Sequence, residues 1–236
     1  MAINSLLLVV RAAPQKANLK GFRRFKGFTL AEVLITLVII GVIAAMTIPT
    51  LINKTEKQEY VSKLKKAYST MASATNSLIA EQGTPNASLG GWASSAESLL
   101  NVYKTKISHT DECIGASCIN QYRRFGNNAV INFSTDDFSK LVLNDGTYVM
   151  FYMYPEGLNC TRNMHGTNNQ CGGIIVDLNG DKKPDRLGYD VFYFTIKENG
   201  LFPHGCDVDG YCNGPKNTMG LGCACKVLRE GAVNYY

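Results

Sequence analysis

The side chain with the most specific chemical requirement is the carboxylate of Glu32, the one charged group in the apolar segment 28–48. At 1.5 Å per residue this segment would form a helix of about 31 Å, which matches a membrane hydrocarbon core of about 30 Å. An ionised group at membrane depth costs about 2.5–3.5 kcal/mol, so Glu32 needs a partner of opposite charge. If the chain is cut after Gly27, the new α-amino group of Phe28 on a neighbouring subunit supplies that charge.

A second group of oxygen-bearing side chains lies in the loop 177–190. Four of them have the alternating spacing that opens an EF-hand calcium loop: Asp177, Asn179, Asp181 and Asp185. The later part departs from that motif, because Gly188 stands where a bidentate glutamate is required and Asp190 is the nearest substitute. The sequence predicts a calcium site as one alternative and an ordinary turn, which the same residue types favour, as the other.

The cysteines are eight in number and all follow the apolar segment: Cys113, Cys118, Cys160, Cys171, Cys206, Cys212, Cys223 and Cys225. An even number in a domain outside the cytoplasm predicts disulfides, of which 105 pairings are conceivable. Short spacing favours the local bridges Cys113–Cys118 and Cys160–Cys171. Cys206 and Cys212 would then pair with Cys223 and Cys225. Structural zinc is the competing interpretation, but the irregular gaps do not match its usual ligand pairs.

Catalytic signatures are missing from the sequence. The three histidines, His109, His165 and His204, fall in expected loops without a partner motif, and there is no nucleophile elbow, phosphate loop or metalloprotease motif. We therefore expect a protein that is not an enzyme and that requires no cofactor.

One long helix is expected to position Glu32 and to support the rest of the chain. Beyond Pro49, apolar side chains recur every three or four residues, as in an amphipathic helix. The helix should end at the Gly-then-Pro signal of residues 83–85. Its stripe is expected to cover a β-sheet of the same chain, with contact between subunits as the alternative. The stripe consists of Val61, Leu64, Tyr68, Met71, Thr75 and Leu78.

The C-terminal part is predicted to be rich in β-structure after a short helix at Ala93–Tyr103. Asn144-Asp145-Gly146 is a strong hairpin signal. About four antiparallel strands should lie on the second half of the long helix, which gives a disulfide-stapled α+β fold. The predicted strands are Ala129–Phe133, Leu141–Leu143, Thr147–Tyr154, Gly173–Val176 and Tyr189–Ile196.

The residues from Gly27 to Ile35, with the sequence GFTLAEVLI, resemble the processing site of type IV prepilins and of the pseudopilins of type II secretion systems. The resemblance implies that a prepilin peptidase cuts after Gly27 and N-methylates Phe28. It also implies that Glu32 helps to dock subunits in a helical filament, and that the fold is pilin-like. Pro49 lies where such pilins commonly kink or melt the helix. An uncleaved signal anchor is the alternative.

The net charge of +5 reflects topology and gives no indication of nucleic-acid binding. Residues 1–27 hold several basic residues and no acid, and without them the charges nearly balance. Positive charge beside a membrane helix keeps that end cytoplasmic, so the C-terminal domain should lie outside the cytoplasm as part of a single-pass inner-membrane protein. The expected division is a leader (1–27), a membrane or filament-core helix (28–48), its amphipathic continuation (49–82) and a globular head (83–236).

The sequence thus predicts a structural subunit of a type IV pilus or of a type II secretion pseudopilus. The expected partners are prepilin peptidase, other pilin subunits and, before assembly, the inner membrane; the final location is a periplasmic pseudopilus or an extracellular pilus. The alternative is a low-abundance minor pilin at the filament tip that acts as an adhesin or ligand-binding module.

Overall fold

The computed structural model describes residues 27–131, 138–153, 158–164, 167–206, 212 and 219–235. The described residues divide into two compact units, one that ends at Pro49 and one that begins at Thr50. The expected leader lies outside the described residues, except for Gly27.

Helix α1, Leu30–Gln82, begins in the first unit with an apolar run whose side chains are exposed. No residue in the most apolar stretch of the helix is buried. The hydroxyl groups of Thr36 and Thr47 donate to backbone carbonyls one turn earlier, at 2.9 and 3.0 Å. These polar groups are therefore satisfied inside the helix. The run is long and apolar enough to cross a membrane, as expected for 28–48.

The part of α1 in the second unit buries one face against the sheet described below. Leu64, Met71 and Leu78 have no exposed surface, and Tyr68 stacks on Phe194 with ring centroids 5.4 Å apart. The predicted stripe is thus confirmed as a contact within the chain. The helix ends at Gln82, where Gly83 adopts a φ of 79° and its N–H donates to the Ile79 carbonyl at 3.0 Å.

Helix α2, Ala96–Tyr103, follows as predicted but begins three residues later than expected. Ser95 and Ser98 form a capping box that fixes this start: Ser98 N–H donates to Ser95 Oγ at 2.9 Å, and Ser95 N–H donates to Ser98 Oγ at 2.8 Å.

The main sheet, within the described residues, has six strands in the order β1-β2-β3-β6-β7-β8, and each pair of neighbours is antiparallel. A separate antiparallel pair, β4-β5, lies outside it. The strands are β1 His109–Ile114, β2 Phe138–Leu143, β3 Tyr148–Tyr152, β4 Arg162–Met164, β5 Thr167–Gln170, β6 Gly172–Asp177, β7 Val191–Lys197 and β8 Gly200–Pro203.

Both faces of this sheet are covered. In β3, Val149 and Phe151 face the core shared with α1, whereas Met150 and Tyr152 face a second apolar cluster that includes Tyr122. The central strands are therefore buried along their whole length, and their sequences are continuous apolar runs without alternation.

The predicted hairpin at Asn144-Asp145-Gly146 joins β2 to β3. The Gly146 N–H donates to the Leu143 carbonyl at 2.9 Å, and Gly146 has a φ of 80°. Asp145 accepts from the Thr147 N–H at 3.2 Å and from the Lys66 ammonium at 2.6 Å. The turn residues thus close the hairpin and also attach it to α1.

The described residues include all the cysteines, and these form four disulfides: Cys113–Cys118, Cys160–Cys171, Cys206–Cys225 and Cys212–Cys223. The disulfide-stapled α+β fold is confirmed. Helix α3, Cys223–Glu230, was not predicted from the sequence, and two of the bridges anchor its first turn.

The strand prediction was incomplete at both edges of the sheet. Strands β1 and β8 were missed: β1 is largely exposed and polar, so it has no apolar alternation, and β8 is short. The strand expected at Ala129–Phe133 was wrong for its described residues, where Val130 makes only an isolated bridge to Arg123. Its last two residues, and Tyr154 of another predicted strand, lie outside the described residues.

The core position Leu64 allows a direct test of the packing of α1 on the sheet. We expect Leu64→Ala to lower the free energy of unfolding by about 2–5 kcal/mol, because it removes buried methyl groups and leaves a cavity. The measurement is denaturant unfolding of the full chain in micelles with disulfides intact, followed by the fluorescence of Trp92, the one tryptophan.

The matched control is Leu89→Ala, because Leu89 is 71% exposed. It should change the free energy of unfolding by less than about 0.5 kcal/mol. Equal effects of the two substitutions would contradict the placement of α1 on the sheet.

Candidate functional site

Glu32 lies in the first turn of α1 and closes a capping box with Thr29. The Glu32 N–H donates to Thr29 Oγ1 at 3.2 Å, and Glu32 Oε2 accepts from the Thr29 N–H at 2.8 Å. The Thr29 hydroxyl also donates to Oε2 at 2.9 Å. The carboxylate thus satisfies the Thr29 N–H, and the Thr29 hydroxyl satisfies the Glu32 N–H, two backbone donors that have no partner inside the helix. Its other oxygen, Oε1, has no hydrogen-bond partner among the described residues.

The two residues of the expected cleavage site precede this turn and are exposed. Phe28 is 89% exposed, and a Cβ added at Gly27 would meet no atom within 4 Å. The chain's own packing therefore gives no steric reason for a glycine at position 27. This leaves both residues accessible to an enzyme.

A family model described as the prokaryotic N-terminal methylation motif matches residues 22–48. The chain carries the type IV pilin and pseudopilin signature. The match includes Gly27, Phe28, Glu32 and the apolar run of α1, and it ends before Pro49. No curated protein and no solved structure shows significant similarity to the chain.

The acidic loop contains carboxylates that are shielded from solvent. Asp177, Asp185 and Asp190 have relative exposures of 0, 1 and 0%. Backbone N–H groups of the loop satisfy three of the six oxygens: Asp177 Oδ1 accepts from Asn179 at 3.2 Å, and Asp190 Oδ1 and Oδ2 accept from Arg186 at 2.6 Å and Asp185 at 2.9 Å. The carboxylates therefore fix the turn.

Neighbouring side chains complete the environment of the loop. The Tyr122 hydroxyl donates to Asp177 Oδ2 at 3.2 Å, and the Lys183 ammonium contacts Asp185 Oδ2. Asp185 Oδ1 is buried without a hydrogen-bond partner among the described residues. Asp185 has a φ of 51°, a conformation that aspartate tolerates better than most residues.

Burial raises the pKa of Asp177 to about 8, and the charges of Asp190 and Asp185 add to the effect. Burial also raises the pKa of Asp190 to about 6, although N–H groups of Arg186 and Asp185 oppose the shift. The loop therefore binds protons more tightly than the same residues in an unfolded chain.

The predicted calcium ligands differ in their exposure to solvent. Asp181 is exposed and hydrogen-bonded to the Tyr148 hydroxyl, whereas Asp177 and Asp185 are buried. No group of three or more His, Cys, Asp or Glu side chains in the described part of the chain is arranged to hold a metal ion. The calcium site stays a prediction.

Of the two described histidines, His204 lies in a turn after β8, as predicted, whereas His109 lies in a strand. His109 begins β1, and its Nδ1 lies 3.0 Å from the Ile107 carbonyl. His204 is fully buried, with Nδ1 3.1 Å from Thr195 Oγ1 and its ring edge-on to Tyr193. His165 lies outside the described residues.

The methylation motif belongs to a structural class of protein, as the sequence predicted.

Sequence reasoning missed the capping role of Glu32, although a signal for it is present. A threonine followed three residues later by a glutamate, immediately before an apolar run, is the usual capping-box pattern. A second function for the carboxylate can therefore be inferred from the sequence. No sequence pattern predicted that Asp190 would be buried, because only the folded loop brings it beside Asp177.

The raised pKa values predict a pH dependence of stability. The unfolded pKa of aspartate is about 3.9, so the folded state binds more protons between that pH and about 8. The free energy of unfolding should then be highest near pH 4 and fall as the pH rises to 8. Asp177→Asn removes this titration, so between pH 4 and pH 8 the variant should lose at least about 1 kcal/mol less free energy of unfolding than wild type.

Denaturant unfolding in EDTA across this pH range measures the effect. Asp111→Asn is the control, because Asp111 is an exposed aspartate on β1. Parallel pH curves for wild type and Asp177→Asn would contradict the assignment. Repeating the wild-type series in excess calcium tests the calcium prediction, because an ion that binds only the folded state raises the free energy of unfolding.

Proposed function

We propose that the chain is a structural subunit of a type IV pilus or type II secretion pseudopilus, processed between Gly27 and Phe28 and assembled through α1. The methylation motif at residues 22–48, placed at the start of an exposed apolar helix, carries the proposal. N-methylation of Phe28 by the processing peptidase belongs to the same proposal.

The exposed apolar surface of α1 requires an environment that the described residues do not supply. Leu37, Ile40 and Ile43 are 60, 62 and 57% exposed. Apolar burial stabilises by about 25 cal/mol per Å², so this surface favours transfer to a bilayer or to a bundle of identical helices. The subunit would therefore wait in the inner membrane and enter the filament without exposing the helix to water.

The free oxygen of Glu32 is suited to a contact between subunits. Oε2 accepts the bonds from Thr29, and Oε1 remains available for a cation. Processing creates an α-amino group at Phe28, and a charge-assisted bond from a neighbouring Phe28 to Oε1 would neutralise the carboxylate in an apolar core. Capping and docking are compatible because they use different oxygens.

The disulfides support an extracytoplasmic location for the head. All eight cysteines are paired, which is typical of proteins that fold in an oxidising compartment. The location would be the periplasm for a pseudopilus and the cell exterior for a pilus.

A minor pilin at the filament tip is the second candidate function, with the head acting as a binding module. Two bridges in the C-terminal segment, Cys206–Cys225 and Cys212–Cys223, constrain the chain there and favour such a role. Quantitative mass spectrometry of isolated filaments separates the candidates, because a tip protein is present in few copies and a main subunit in many.

Processing is tested by intact-mass and N-terminal peptide analysis of the unreduced protein from its native membrane. We expect a chain that begins at N-methylated Phe28 and has a mass about 8 Da below its fully reduced form. Gly27→Leu should abolish cleavage. Gly41→Leu is the matched control, because a Cβ at Gly41 also meets no atom within 4 Å. A native chain that retains residues before Phe28 would instead identify an uncleaved signal anchor.

Docking is tested by Glu32→Ala, which should leave cleavage intact and abolish incorporation into filaments, measured by shearing and immunoblotting. Loss of the cap also costs about 1 kcal/mol, so Thr29→Ala serves as the control. Thr29→Ala removes the hydroxyl of the capping box but keeps the carboxylate, and it should still assemble. If both variants were equally absent from filaments, Glu32 would act only as a cap. If both were incorporated normally, the proposed docking role would be wrong.

A further inference from the structure

A polar cleft lies in the second unit and includes no residue of the two sites described above. Its volume is about 620 Å³, within the range of about 300–1,000 Å³ that is usual for ligand sites. Three segments contribute to it: the residues before β4, strand β5 and the turn between β7 and β8. The polar lining consists of Asn159, Thr161, Asn169, Lys197, Glu198 and Asn199.

The walls of the cleft are held in place by buried contacts. Asn86, which is 6% exposed, donates from Nδ2 to Glu198 Oε1 at 2.7 Å and to the Asn159 carbonyl at 3.3 Å. One buried amide thus ties two walls together. Cys160 also lines the cleft, and its bridge to Cys171 fixes that wall to the start of β6. Little conformational entropy is lost when a ligand enters a site that is already ordered.

Backbone strain is concentrated here as well. Cys160 and Asn169 both line the cleft, and both have positive φ values, 55 and 58°. Such conformations cost of order 1–3 kcal/mol and persist where the surroundings enforce them, which is frequent at ligand sites. These two strained residues lower the stability of the fold, and the surrounding contacts hold them in the conformations that shape the cleft.

The lining groups both donate and accept hydrogen bonds. Asn159 Oδ1 accepts from the Thr161 N–H at 3.2 Å and from its hydroxyl at 2.6 Å, which orients the amide and leaves its N–H donors without partners among the described residues. The side-chain amides of Asn169 and Asn199 are exposed and likewise have no partner there. Each amide offers two donors and an acceptor.

The charge of the lining is balanced, with one lysine and one glutamate. The second carboxylate oxygen of Glu198 has no hydrogen-bond partner among the described residues, and the Lys197 ammonium lies 5.2 Å from the centre of the Phe202 ring. A ligand with high net charge would gain from one of these groups and be repelled by the other. An apolar ligand would leave the amides unpaired.

We propose that this cleft binds a neutral oligosaccharide. Sugar hydroxyl groups donate and accept at the same time, as the asparagine amides do, and Glu198 can accept a charge-assisted bond from one of them. The cleft lies near the C-terminal end of α1, because a Cβ at Gly200 would come within 3.5 Å of Asn76 Oδ1. Binding requires neither the methylation motif nor filament assembly, so it can be measured whatever the outcome of the experiments on Gly27 and Glu32.

The test uses the full chain in phospholipid nanodiscs, because glycoside detergents would compete for the cleft. Lactose, N-acetyllactosamine, maltotriose, cellotriose and mannotriose are the neutral probes, and sialyllactose is the acidic comparison; affinities come from calorimetry or ligand-observed NMR. We expect at least one neutral probe to bind with a micromolar to millimolar Kd and more tightly than sialyllactose.

The deciding variant is the double substitution Asn169→Gly with Asn199→Ala, which should weaken binding at least tenfold. Glycine at 169 accommodates the positive φ, and neither side chain holds the fold together, so the disulfides and the denaturation midpoint should be unchanged. Asn101→Ala, at an exposed asparagine on α2, is the control and should bind like wild type. Binding of no neutral probe at millimolar concentration, equal binding by the double variant, or a preference for sialyllactose would each overturn the proposal.

Discussion

The fold of the head depends on the burial of one face of α1 against the sheet. Leu64, Met71 and Leu78 lie at helical spacing and lose all their exposed surface in this contact. The opposite face of the sheet is covered by Tyr122 and Leu221 from the loops. The central strands are therefore enclosed, and their apolar sequences have no solvent-facing side. The disulfides supplement this burial: Cys113–Cys118 joins the end of the edge strand β1 to the next turn, and two bridges hold α3, where Cys223 is fully buried.

The first part of α1 has the opposite requirement, since its apolar side chains find no cover within the described residues. The Glu32 carboxylate is tolerated in this apolar segment because it caps the helix. Its Oε2 accepts two hydrogen bonds from Thr29. A neighbouring amine that took Oε2 would uncap the helix, whereas one that took Oε1 would leave the cap in place. If Glu32 docks a neighbouring subunit as proposed, a contact through Oε1 would therefore preserve the helical structure of the first turn.

Sequence reasoning correctly predicted the features that depend on a pattern of residues close together in the chain. The stripe on α1, the stop at Gly83 and the Asp145-Gly146 turn are each readable over a few residues, and each is found as expected. Strand β1 was missed because an exposed edge strand needs no apolar alternation, and α3 was missed because its position depends on two cysteine bridges. The polar cleft combines three distant segments and the buried amide of Asn86, a juxtaposition that spacing along the chain does not encode.

The acidic loop illustrates why oxygen-rich spacing alone is a weak guide to a metal. The same spacing that resembles a calcium loop lets Asp177 and Asp190 accept bonds from N–H groups of their own turn. Those bonds stabilise the charged carboxylates, but burial and mutual repulsion outweigh them, so the pKa values rise. A cation bound among these groups would reverse that balance, because its charge favours the ionised carboxylates and lowers their pKa values. The protonation state of Asp177 near neutral pH is therefore the quantity that separates a turn held by hydrogen bonds from a turn built around an ion.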